Sequence, residues 1–196
     1  WKYTLKVNTG ITSLSGMRMK NNEVFEIRTK AGHIFNTSQR KGKPEHRDAI
    51  ICISDIHMGD ARANEGKYSW FGKNKEALED FLDTVNACPN VKQLVILGDL
   101  FDEWVVPCDV SPFDSNTGIS NSGDYFNAVA NAETNLGVIQ RLKSIASNPD
   151  IDLVYVSGNH DMMLTEDILT GIIPNIVWAG DTSGIGIYKP LDDIVM

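Results

Sequence analysis

The 196-residue sequence has no apolar run approaching the roughly 20 residues that span a bilayer, so it contains no candidate membrane-spanning helix. Cysteine is scarce and odd in number. Cys52, Cys88 and Cys108 share no metal-ligand spacing, which indicates neither a disulfide framework nor a zinc knuckle. Cys52 stands in the run Ile50-Ile51-Cys52-Ile53, where a small buried hydrophobe is expected. Basic residues are outnumbered: 18 Lys and Arg against 26 Asp and Glu give a net charge of −8. The average field therefore repels polyanions and offers no broad basic footprint for nucleic acid, which favours a small substrate. Internal repeats and low-complexity tracts are absent too. What remains, 42% hydrophobic and 22% charged, suits one globular core with a small appendage. Nothing in it sets a compartment or an oligomeric state.

Residues 1–7 alternate apolar and polar side chains, the period of a half-buried strand. Turn signals at Asn8-Thr9-Gly10, Asn21-Asn22 and Ala31-Gly32 divide further short segments, among them Glu23 to Arg28. This predicts a small β-meander that, with the basic stretch Gln39 to Pro44, makes an extension and linker over 1–43 ahead of a domain at 44–196. Beyond the linker, short continuous apolar runs alternate with helical patterns, predicting an α/β fold with strands buried on both faces. The clearest strands are Ala49 to Ile53, Gln93 to Leu97 and Leu153 to Val156. Leu78, Phe81, Leu82 and Val85 recur at helical spacing, with Asn74 as a cap. Asp124 precedes a second helical pattern through Phe126, Val129, Ala130, Ile139, Leu142 and Ala146, which stops before Pro149.

Each predicted strand runs into a cluster of metal-competent residues: Ser54-Asp55-Ile56-His57, Gly98-Asp99-Leu100-Phe101-Asp102 and Ser157-Gly158-Asn159-His160-Asp161. In open α/β sheets ligands bind beyond the carboxyl ends of the strands, so the three clusters are expected to share one crevice. Asp55 and His57 have the same parity in an extended chain, which lets a carboxylate and an imidazole reach one cation. Asp99 can bridge two cations, and Gly98 allows a tight backbone path beside it. Asn159 offers a neutral oxygen ligand, and Gly158 clears space. An imidazole, with an ordinary pKa of about 6.5, suits His160 to give a proton or hydrogen bond to a developing oxyanion, with Asp161 orienting it. Taken singly, each has a structural reading: Asp as a turn or helix cap, His57 as a packed histidine, Asn159 as a turn residue. Three coincidences at successive strand ends favour a site.

These residues resemble the calcineurin-like metallophosphoesterase superfamily, whose motifs are Asp-x-His, Gly-Asp-x-x-Asp and Gly-Asn-His-Asp/Glu. All three occur in order within about residues 48–196. The resemblance implies the N-terminal part of a metallophosphoesterase β-sandwich flanked by helices. It further implies two divalent ions (Mn, Fe or Zn), with Asp55 and His57 on the first, Asp99 bridging and Asn159 on the second. His160 would contact the phosphate or leaving oxygen, with Asp161 in support. The run Gly98 to Trp104 is similar to the branch of UDP-2,3-diacylglucosamine pyrophosphohydrolases, which carry Arg where this chain has His160.

The implied function is metal-dependent hydrolysis of phosphate mono- or diesters by a bridging hydroxide held between two ions. A DNA exonuclease of the same superfamily shares the motifs, and the net charge argues against it. The superfamily completes its site with three downstream histidines, whereas after His160 this sequence has none. The chain is therefore expected to stop short of the second half of the site, with catalysis in an intact parent and partial metal binding in residues 1–196. The same lack gives weight to a noncatalytic binding scaffold. His33 and His46 precede the motifs and match none of them. Loop segments at 60–73, with Tyr68, Trp70 and Phe71, and at 105–123 are candidate walls or a lid, and packing is the expected role of Trp70 and Phe71.

Overall fold

Three of the apolar runs become neighbouring strands of one parallel sheet in the computed structural model, which describes residues 2–7, 23–28, 47, 49–65, 69, 71–104, 111, 113 and 115–179. The chain divides into two compact units, Trp1–Gln39 and Arg40–Met196. In the first, β1 (Lys2–Val7) and β2 (Glu23–Arg28) pair antiparallel, from Lys2 opposite Arg28 to Val7 opposite Glu23.

The second unit runs β3 (Ala49–Ile53), α1 (Ala61–Glu65), α2 (Lys75–Ala87), β4 (Val91–Leu97), α3 (Ser122–Asn131), α4 (Leu136–Ala146), β5 (Asp152–Val156), α5 (Glu166–Ile172) and β6 (Val177–Trp178). The strands lie in the order β3-β4-β5-β6, all parallel, with helices in every crossover. Parallel pairing is what such helical crossovers require. The α/β class read from the sequence is the observed one. Among the described residues the unit has one sheet; a second layer of a sandwich is not seen there. No helix among them is long and apolar enough to cross a membrane.

Register sorts the core by face. Leu94, Ile96, Leu153 and Tyr155 share one face and are almost wholly buried. Val95, Val154 and Val156 share the other and pack with Ile50 and Ala179. Each such aliphatic side chain contributes about 1.5–3 kcal/mol by leaving water. Cys52 pairs in register with Val95 yet is exposed, contrary to the buried role expected of it. It lies on β3, the edge strand among the described residues, and an apolar run does not reveal which strand is at the edge. Arg47 fastens the start of β3 to the opposite end of the sheet from the motifs, donating to the carbonyls of Cys88 (3.3 Å) and Val91 (2.8 Å) and to Asp150 (2.8 Å).

The helical pattern that follows Asp124 is two helices rather than one. The Asn121 side chain caps the first by accepting the Asp124 N–H at 3.0 Å. Ala132 then turns to an extended conformation, and buried Asn135 gives both side-chain N–H bonds away, to Val129 O and Gly59 O, each at 2.8 Å. That side chain ties the break between the helices to the loop after β3. Asn74 occupies the N-cap position of α2 without a capping side-chain bond. A 3-10 turn at Phe71–Lys73 leads into that helix.

Candidate metal centre

Because the strands are parallel, the loops after β3, β4 and β5 leave the same edge of the sheet, and they continue to hydrogen-bond beyond it. Ile56 and His57 both donate their N–H to Asp99 O (2.9 and 2.8 Å), Met58 donates to Leu100 O (3.0 Å), and Asp102 donates to Met58 O (3.0 Å). The third loop joins through Glu103 N–H to His160 O and His160 N–H to Asp99 Oδ1, both 2.9 Å. All three motifs therefore meet, as the strand ends implied.

The backbone at this meeting point is strained. Asp55, His57 and Asp99 have φ of 57°, 55° and 54°. Left-handed conformations outside glycine cost of order 1–2 kcal/mol each and collect at functional sites. Asp55 and His57 thus do not converge through the extended chain expected for Asp-x-His; two left-handed residues aim them. Glycine makes the crowding possible, as expected. Gly98 has φ 82°, and a Cβ there would sit 2.7 Å from Gly158 Cα. A Cβ on Gly158 would strike the Asp99 carboxylate and come within 2.5 Å of Asp99 N. Gly158→Ala is accordingly expected to displace Asp99 and lower divalent-ion affinity at least about tenfold. Isothermal titration with Mn²⁺ checks this, and unaltered affinity would show that the Asp99 carboxylate is not needed there.

His57 is the pivot of the geometry. Its buried ring places Nδ1 2.8 Å from Asp102 Oδ2, a hydrogen-bond length, and turns Nε2 toward Asp55 Oδ1 at 3.7 Å and Asp99 Oδ2 at 4.0 Å. Donors sharing one cation at about 2.1 Å stand roughly 3–4 Å apart, so the second spacing suits a common ion rather than direct bonds. With Nδ1–H given to a carboxylate, the lone pair is left on Nε2, the arrangement of carboxylate–histidine–metal triads. Two groups of metal-competent side chains overlap at His57: Asp55–His57–Asp99 and His57–Asp102–His160. In the second the contacts are already hydrogen bonds, and Asp102 Oδ1 accepts Trp104 N–H at 2.8 Å. The first, with exposed Asp55 at its rim, is open to solvent and could hold an ion.

His160 lies against the same pivot. Its ring centroid is 4.6 Å from that of His57, edge to face, and its Nδ1 is 3.0 Å from Asp102 Oδ2. One carboxylate oxygen therefore serves both imidazoles. The sequence assigned the support of His160 to Asp161, but Asp161 is turned inward, accepting N–H bonds from Gly158 (2.8 Å), Leu100 (2.9 Å) and Phe101 (3.4 Å). It locks the second motif loop to the third. Burial pushes its carboxyl above the usual range and the Asp99 charge adds to that, against the N–H bonds from Gly158 and Phe101. The Tyr155 hydroxyl lies near Asp161 without a well-formed hydrogen bond, and burial raises it strongly.

Two side chains that sequence reading left without a role stand out. Asp102 is 1% exposed, and its backbone carbonyl accepts the Tyr125 hydroxyl. The signal for it was the closing Asp of Gly-Asp-x-x-Asp. Glu103 is likewise buried: desolvation pushes it up to about 6, Asp161 and Asp102 add to the rise, and Met163 N–H and the Trp104 side chain oppose it. Asn159 is exposed in the same loop, between Gly158 and His160. Phe71 is buried, in keeping with a packing role, whereas His33, His46, Tyr68, Trp70 and residues 105–110 of the candidate lid lie outside the described residues.

A family model described as calcineurin-like phosphoesterase matches residues 49–192, which takes in all three motif loops. No curated protein and no solved structure matches the chain.

Proposed function

The chain belongs to the calcineurin-like phosphoesterase family, whose chemistry is metal-dependent hydrolysis of phosphoester bonds, and on that premise we propose that it cleaves small phosphate mono- or diesters at a dinuclear site. Asp55, His57 and Asp99 would hold the first ion, and Asp99 and Asn159 would supply oxygen ligands to the second. The observation that carries this reading is the orientation of His57, with Nδ1 bound to buried Asp102 and Nε2 left to Asp55 and Asp99. Divalent ions, when bound, lower the pKa of coordinated water and neutralise phosphate oxygens.

The residues do the rest. Asp102 fixes both imidazoles through their Nδ1 atoms, so each offers its Nε2. His57 uses that atom as a ligand. His160, with its side chain 27% exposed, carries a proton on each ring nitrogen in the reacting state and uses the one on Nε2 as a donor to the phosphate or the departing oxygen. Water gives one proton to solvent as it attacks phosphorus from the far side, the bond from phosphorus to the leaving oxygen breaks, and His160 gives its Nε2 proton to that oxygen and regains one from solvent.

Assay of bis-p-nitrophenyl phosphate and single-stranded DNA with Mn²⁺ tests the reading. We expect hydrolysis of the diester, loss of it with EDTA, and little or no DNA degradation. Preferential DNA degradation would favour an exonuclease, and Mn²⁺ binding with neither activity would favour a scaffold.

A further inference from the structure

Beside His160 lies an exposed indole. Trp104 is 55% exposed, and its ring lies 4.2 Å from the His160 ring at an interplanar angle of 37°. Met162 and Met163, just past His160, are 51% and 44% exposed. The two short segments that carry these side chains are joined, because Glu103 donates its N–H to His160 O at 2.9 Å and Met163 N–H faces the Glu103 carboxylate. Trp104 thus packs on the imidazole, while Met162 and Met163 follow His160 by two and three positions on a segment joined to that of Trp104, and all three are among the six large hydrophobic side chains left exposed among the described residues. Single exposed hydrophobics need no explanation, but an exposed indole packed on the imidazole of a candidate site does.

The site then has two halves of opposite character. On one side of His57 stand Asp55 and Asp99, acidic and suited to cations. On the other, His160 packs against an indole, and two exposed methionines follow it in sequence. The proposed function puts the leaving oxygen at His160, so whatever that oxygen carries is directed onto Trp104. A broad indole face prefers a flat ring stacked on it, and methionines adapt to the edge of such a ring with favourable sulfur–aromatic contacts.

We propose that this site selects phosphoesters whose leaving group is a flat aromatic ring system, seated on Trp104 and bordered by Met162 and Met163. The inference rests on the proposed function for the position of the leaving group, and the two are separable by binding. Dissociation constants of 2-naphthylphosphonate and methylphosphonate, which cannot be cleaved, are measured by calorimetry on the Mn²⁺-loaded chain. The naphthyl ligand is expected to bind about tenfold more tightly or better. In Trp104→Ala that ratio should fall to within about twofold, and in Trp104→Phe to an intermediate value, since a smaller ring keeps part of the stack. Trp104 is exposed, so neither variant endangers the core. Equal affinity for the two ligands in the parent, or a naphthyl advantage that survives Trp104→Ala, overturns the proposal. Methylphosphonate affinity indifferent to EDTA would instead contradict the phosphoesterase reading while the naphthyl-to-methyl ratio still reports on Trp104. No binding of either ligand overturns both.

Discussion

Asp102→Ala is expected to weaken divalent-metal binding by about 10- to 100-fold and, with metal kept saturating, to lower turnover by about another 100-fold. Asp102 touches no phosphate in the proposed mechanism. Its effect comes from one oxygen, Oδ2, placed 2.8 Å from His57 Nδ1 and 3.0 Å from His160 Nδ1. Without it the His57 proton is free to move to Nε2, the atom that faces Asp55 and Asp99, and an incoming ion has to displace that proton. The His160 ring loses its tether as well, keeping its ring contacts with Trp104 and His57. Asp102→Asn keeps the volume and one acceptor oxygen, so it should recover part of the metal affinity. Manganese titration and turnover at saturating Mn²⁺ measure the two losses separately. Parent-like metal affinity in Asp102→Ala would break the link drawn from Asp102 to His57.

His160→Ala should do the opposite of a ligand substitution, lowering turnover about 100- to 1000-fold with metal content unchanged. Its Nδ1 is engaged by Asp102, and it is not in the group formed by Asp55, His57 and Asp99. The expected loss is that of one positioned proton donor at a developing oxyanion. Elemental analysis beside steady-state kinetics decides it, and a parallel fall in metal and turnover would mean that His160 is a ligand.

Much of the framework was legible because it is local. The run Ala49 to Ile53 is β3 without adjustment, and the motif loops fall at strand ends that share one edge because parallel pairing leaves no alternative. What escaped was what depends on contacts across the chain. Asp102 and Asp161 both neighbour the site in sequence, and only the fold shows that Asp161 turns inward to three backbone N–H groups while Asp102 meets the two imidazoles. Asp55 and His57 do not stand in the extended chain on which their shared parity was reckoned, since both are left-handed. The break between α3 and α4 hangs on Asn135 bonding to Gly59, 76 positions away, which no helical periodicity records. Cys52 was misjudged for a similar reason: exposure at a sheet edge is a property of the sheet.

The central claim is that Asp55, His57 Nε2 and Asp99 enclose one divalent ion while Asp102 holds His57 from behind. Anomalous diffraction from Mn²⁺-soaked crystals tests it most directly. The account expects an anomalous peak about 2.0–2.3 Å from His57 Nε2 and from one oxygen each of Asp55 and Asp99, with the Asp102 bonds to both Nδ1 atoms intact. A peak between Asp102 and the two Nδ1 atoms, or none near His57 at saturating Mn²⁺, would contradict it.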